Sequence, residues 1–133
     1  MTGEKLAAET ADWTSRRCVP CEGGVPTIAG AQAKAFCEEL DGWNVDEGEK
    51  SISRKINCGG FTSAVKAIHQ IADVADEEQH HPDLHLTGYR HLRIVMTTHA
   101  IGGLSDNDFV LAAKINQRLA TAPTARVETN VGD

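Results

Sequence analysis

The sequence predicts an α+β domain, a four-stranded antiparallel sheet with helices on one face, in the order α-β-β-α-β-β-α. Three observations predict it. Apolar residues recur at threes and fours over residues 61–79, they alternate in twos over the segments at 51–57 and 91–99, and turn-forming residues mark the changes of period. With 133 residues, 41% hydrophobic and 24% charged, the chain suffices for one core and is marginal for two.

Taken in order, residues 1–29 lack sustained periodicity and hold Pro20, Gly23-Gly24 and Pro26, which reads as a mobile, turn-rich arm. The domain proper is expected at 30–120. Residues 31–40 are helical in pattern and stop at Asp41-Gly42. Residues 43–46 and 51–57 follow as short strands turned by Glu47-Gly48-Glu49. In the second strand Ile52, Arg54 and Ile56 alternate with Ser51, Ser53 and Lys55, so Arg54 interrupts the apolar side. Residues 61–79 form the clearest helix. Its expected stripe is Phe61, Ala64, Val65, Ile68, Ile71, Ala72 and Ala75, suited to a flat surface, and Pro82 ends it. Residues 84–89 and 91–99 read as strands joined near Gly88. The last helix covers about 106–119, with Ser105 as its N-cap and Asp106 and Asp108 in its first turn. Residues 121–133 read as a frayed tail.

Charge and composition exclude several functions. Thirteen basic against nineteen acidic residues leave a net charge of −6, which is no footprint for neutralising nucleic-acid phosphates. The longest apolar run, residues 109–113, falls far short of the ~20 residues that span a bilayer. The opening MTGEKLAAETADW carries acids and no apolar core, so a secretory leader is not expected and the cytoplasm is the expected compartment. Four cysteines are too few and too scattered for a secreted disulfide framework. Cys37 and Cys58 read as small buried apolar residues. Cys18-Val-Pro-Cys21 lies in the irregular arm, without a second such pair to complete a zinc knuckle.

The histidines carry the chemistry. All six lie between residues 69 and 99, and five of them within 80–99. An unperturbed imidazole titrates near ~6.5, which suits both proton transfer and metal binding. Metal fits poorly. His81 and His85 are four apart, but Pro82 between them argues against a helix, and on a strand they would stand roughly 13 Å apart. No metal is therefore expected. Catalysis fits better. His80-His81-Pro82 follows a helix at the edge of the sheet. His99 closes a strand on the face shared with Arg93, Val95 and Thr97, opposite Leu92, Ile94 and Met96. Ala100-Ile101-Gly102-Gly103 offers a flexible backbone for a ligand, and Asp108 at a helix start has the spacing to orient His99. Against these, His69 reads as an ordinary boundary residue, His85 and His91 as solvated strand residues, and Asp108 by default as a capping acid.

Asp76, His80-His81-Pro82, Tyr89, His99 and Asp108 stand at spacings that resemble the signature of the pterin-4a-carbinolamine dehydratases. The stretch THAIGGLSDNDFVLAAKIN is similar to the family's approach to its last helix, and the resemblance covers roughly residues 31–120. It implies a dehydration of a 4a-hydroxytetrahydropterin to the quinonoid dihydropterin, with the pterin as substrate and no other cofactor. By resemblance, His80 and His99 are the acid–base pair, His81 holds the substrate, and Asp108 or Asp76 tunes and orients them. The pterin would touch Gln79, Thr97, Thr98 and Ala100, beside Asp76 and Pro82 of the motif. A homodimer or homotetramer is implied. The Asp83-Leu84-His85-Leu86 that follows Pro82 departs from the usual acid and aromatic, and with Cys-Val-Pro-Cys-Glu-Gly-Gly it resembles a branch found in plants and some bacteria. The rival reading is a protein-binding role on the same fold, as in carboxylase assembly or transcriptional dimerisation.

Overall fold

A computed structural model describes residues 13–19 and 27–121. Its elements are α1 (Gly30–Glu38), β1 (Trp43–Val45), β2 (Ile52–Asn57), α2 (Phe61–Glu78), β3 (Asp83–Thr87), β4 (His91–Met96), a 3₁₀ turn (His99–Ile101) and α3 (Asp106–Thr121). The strands pair antiparallel in the order β1-β2-β4-β3, so the expected architecture is the one formed. Residues 13–15 add a short helical stretch before α1.

Register follows the apolar alternation. Ile52 faces Met96, Arg54 faces Ile94 and Ile56 faces Leu92 across β2 and β4, while Leu84 and Leu86 of β3 face Ile94 and Leu92. Leu92, Ile94 and Met96 are fully buried under the helices. Arg54, the odd residue on this side, reaches α3, where its guanidinium donates to Asn116 Oδ1 at 2.6 Å. The same oxygen accepts from the Trp43 indole at 2.8 Å. A half-buried charge is thus tolerated because it has a hydrogen-bond partner.

Three expectations need correction. The buried stripe of α2 is Ala64, Ala67, Ile71, Val74, Ala75 and Glu78, and Phe61 and Val65 stay exposed. Three alanines share the buried side with Ile71 and Val74, while the largest side chain of the helix, Phe61, is left outside. The helix also stops earlier than Pro82 requires. Gln79 adopts the left-handed conformation (φ 55°) and donates its amide to the Ala75 carbonyl, closing the helix end as glycine often does. Lastly, β4 ends at Met96, so His99 is not a strand residue.

Residues 13–19, expected within a mobile arm, are packed. Trp13 is buried and meets Phe36 and Phe109 at ring-centroid distances of 5.2 and 5.8 Å. Cys21, the tail at 122–133 and the remainder of the arm before residue 27 lie outside the described residues. Cys37 and Cys58 are buried as expected. Burial, followed by the charge of Asp46, pushes the Cys37 thiol up to about 11. No helix among the described residues is long and apolar enough to cross a membrane.

Candidate active site

The C-terminal end of α2 meets the N-terminal end of α3, and the meeting is made by one short bond. His80 Nε2 lies 2.7 Å from Asp108 Oδ1. Asp108 is fully buried. Its second oxygen accepts from the Thr98 hydroxyl at 2.8 Å and from the Ser105 amide at 3.0 Å. A buried carboxylate needs such donors, and this one has three.

The sequence explains the arrangement locally. Ser105 caps α3, since its hydroxyl oxygen accepts from the Asn107 amide at 3.3 Å. Asp108, three residues on, returns a carboxylate to the Ser105 amide, a capping box with Asp in the place of Glu. One oxygen therefore serves the helix end and the other is free for His80. The default capping role and the functional role belong to the same side chain.

An ionised carboxylate only accepts, so with Asp108 ionised the bond assigns the proton between the two groups to His80 Nε2. In the neutral ring Nδ1 then carries the lone pair and can take a proton. The hydroxyls behind Asp108 are ordered in the same way. Thr98 gives its proton to Asp108, so in the 2.8 Å contact with the Ser105 hydroxyl it is Thr98 that accepts.

His81 points elsewhere. Its Nε2 stands 3.0 Å from Asp76 Oδ1, five residues back near the end of α2, in a pair open to solvent. His99 begins the 3₁₀ turn and is exposed, as is Ala100 beside it. No hydrogen bond or ion pair among the described residues joins His99 to Asp108, which corrects the expectation that Asp108 orients His99; the histidine it holds is His80. The Ala100–Gly103 segment is also tied rather than loose. Thr98 and Gly103 bridge each other, and the loop turns at Gly102 with φ 70°. A Cβ on Gly103 would come within 2.9 Å of Thr27 Cγ2, so this position has no room for a side chain.

A profile of the family "Pterin 4 alpha carbinolamine dehydratase" matches residues 26–118. The chain belongs to that family. It is 36% identical over 119 residues to pterin-4-alpha-carbinolamine dehydratase 2, mitochondrial, of Arabidopsis thaliana, covering 87% of this chain and 64% of the relative's length. A protein of Nitrosomonas europaea, provisionally named as a pterin-4-alpha-carbinolamine dehydratase, is 41% identical over 106 residues, covering 79% of this chain and 91% of that one. The fold also matches a crystal structure from Brucella melitensis described as a transcriptional coactivator/pterin dehydratase. There the TM-score is 0.64 at 25% identity, covering 70% of this chain and 98% of the other.

Within this dehydratase-family domain, the expected site residues fall into four groups. His80, Asp108 and Thr98 are brought together by direct hydrogen bonds. Thr98 is buried and its hydroxyl donates to Asp108. His81 and Asp76 pair at the surface, while Gln79, Pro82, His99 and Ala100 are exposed or half-buried without a bond to the His80–Asp108 pair. Thr97 donates to the Lys50 carbonyl at 2.6 Å. Glu78 and Asn107, both buried, lie outside the sequence expectations, and Ser105 is expected only as a cap. Its spacing to Asp108 is the available signal for its place beside the carboxylate. No local signal marks Glu78 or Asn107. Among the described residues no group of three or more His, Cys, Asp or Glu side chains is placed to hold a metal.

Proposed function

We propose that this chain dehydrates a 4a-hydroxytetrahydropterin to the quinonoid dihydropterin by histidine acid–base chemistry, with the pterin as substrate and no separate cofactor. The observation that carries this reading is the 2.7 Å bond from His80 to a fully buried Asp108. It holds one imidazole through Nε2 and leaves Nδ1 for a proton transfer, in a domain of this family. In the reaction one histidine takes a ring N–H proton and a second gives a proton to the departing hydroxyl. The C–O bond breaks, water leaves, and no electron is transferred to any other molecule. His80 is assigned one of these transfers and His99 the other. His81, exposed beside His80, is assigned to hold the substrate, with Gln79, Pro82, Thr97 and Ala100 around it.

The test is stopped-flow absorbance of 4a-hydroxytetrahydropterin decay with and without the protein. The dehydration also proceeds unaided, so the expected signal is acceleration proportional to protein concentration. His99→Ala should lower the catalysed rate by roughly 10²–10⁴-fold, and the His80/His99 double alanine variant should abolish the acceleration. An unchanged rate in His99→Ala would remove His99 from the mechanism.

A second reading, a protein-binding role, has its own observation. Phe61 and Val65, one turn apart on α2, are 58% and 40% exposed, and the Brucella protein is described as a coactivator as well as a dehydratase. Such a face suits a second copy of the chain or another protein. Folded protein that gives no acceleration would favour this reading over the enzymatic one.

A further inference from the structure

Behind the His80–Asp108 bond, a second connection joins the same two helix ends. Glu78, the last residue of α2, stands two positions before His80, and Asn107 stands directly before Asp108. Both side chains are buried polar groups. Residues 17–19 lie across them. The Cys18 amide donates to Glu78 Oε1 at 2.8 Å, the Val19 amide donates to Asn107 Oδ1 at 2.9 Å, and Asn107 Nδ2 donates back to the Val19 carbonyl at 2.6 Å. The Cys18 thiol adds a contact to the Asn107 carbonyl at 3.5 Å. Lys114 of α3 closes the set with an ammonium 2.7 Å from Glu78 Oε2.

We infer that residues 17–19 act as a clamp on the two helix ends, with Glu78 and Asn107 as positioning residues that keep His80 and Asp108 in register. A 2.7 Å bond between side chains on two separate elements survives only if the elements cannot slide, and a shift of about 1 Å can cost a reaction ~10²-fold. Nothing covalent joins the end of α2 to the start of α3 at this point. The clamp binds one residue on each side of the bond it protects, through directed hydrogen bonds that apolar packing alone would not supply. This inference rests on the proposed role of His80 in proton transfer for its effect on rate, though its structural part stands apart from that role.

The test uses the full chain with ¹⁵N-labelled histidine. The His80 ring nitrogens are read by long-range ¹H–¹⁵N spectra, and dehydration is followed in parallel. Wild-type protein should show the fixed Nε2–H form. Asn107→Ala removes both bonds to Val19. Val19→Pro deletes the Val19 donor at a residue 63% exposed and leaves the body of the domain untouched, so it carries the test if Asn107→Ala does not fold. Both variants should move the two ring-nitrogen shifts toward those of a freely exchanging imidazole. Each should also lower kcat roughly tenfold or more with KM little changed. Ile115→Val, which removes a buried methyl from α3 without deleting any hydrogen bond of the clamp, should lower the melting temperature and leave the ring spectrum alone. A folded variant that keeps the fixed Nε2–H spectrum overturns the clamp, as does an equal spectral change in Ile115→Val. If wild-type protein does not accelerate dehydration, the enzymatic reading fails while the ring spectra still decide the clamp.

Discussion

His80 and His81 are neighbours in the chain, and each has an aspartate within hydrogen-bond reach, yet the two pairs differ in almost every physical respect. In His80–Asp108 the side chains are 13% and 0% exposed, and the bond joins the segment just after α2 to α3. In His81–Asp76 they are 62% and 77% exposed, and the partner lies five residues back, near the end of α2. Water screens the second pair and competes for both of its members, so it holds little and can release its histidine to a ligand. The first pair is desolvated on the carboxylate side, which strengthens its bond. The same two residue types make a buried tie between elements in one case and a solvent-screened local contact in the other.

The contrast can be broken most severely at Asp108. Asp108→Asn keeps the shape but lets an amide donate toward His80, which moves the ring proton to Nδ1. The dehydration rate should fall roughly 10²–10⁴-fold in stopped flow. A fall of only a few-fold would mean that the buried pair does not set the imidazole. His81→Ala should act differently, raising KM about tenfold with kcat nearly preserved. Collapse of kcat there would make the two histidines equivalent and dissolve the comparison.

A smaller effect should appear in acid. Burial pushes the Glu78 carboxyl up, but Lys114, the Cys18 amide and Arg17 outweigh it and hold the group below its usual value. Its contribution to stability is therefore whole at neutral pH. It begins to be lost as the pH falls through the ~4.3 of an unfolded glutamate and is gone below the folded value. Glu78→Gln should flatten that limb of the urea midpoint against pH; an unaltered acid limb would show that Glu78 is not the group responsible. The smallest change is expected at the exposed pair, where Asp76→Asn should alter the rate by no more than about threefold and leave the melting temperature unmoved.

Much of this was legible in the sequence, for reasons that particular residues make plain. The element order came from periodicity, and Ser105 as a cap came from residue type, both local signals. The choice of His80 over His99 as the partner of Asp108 was not local. It depends on Gln79 turning the chain in a left-handed conformation and on β4 stopping at Met96, neither of which is coded by apolar alternation. The stripe on α2 differs from its expectation for a related reason. Periodicity favours large residues such as Phe61 and Val65, whereas the covered side runs through Ala67, Val74 and Glu78. Glu78 and Asn107 were invisible because their partners are backbone groups 60 and 88 residues away.

Those separations have a consequence for how the protein is made. Residues 17–19 can meet Glu78 once α2 is made, but Asn107 lies 88 residues beyond Val19. With translation at about 5–20 residues per second, the wait between Val19 and Asn107 is on the order of ten seconds. Through that interval Trp13 has Phe36 within the chain already made but lacks Phe109, which belongs to the same late helix. The nascent chain therefore carries an early segment with one of its two aromatic partners and one of its two polar anchors, and the histidine–aspartate bond waits on the synthesis of α3.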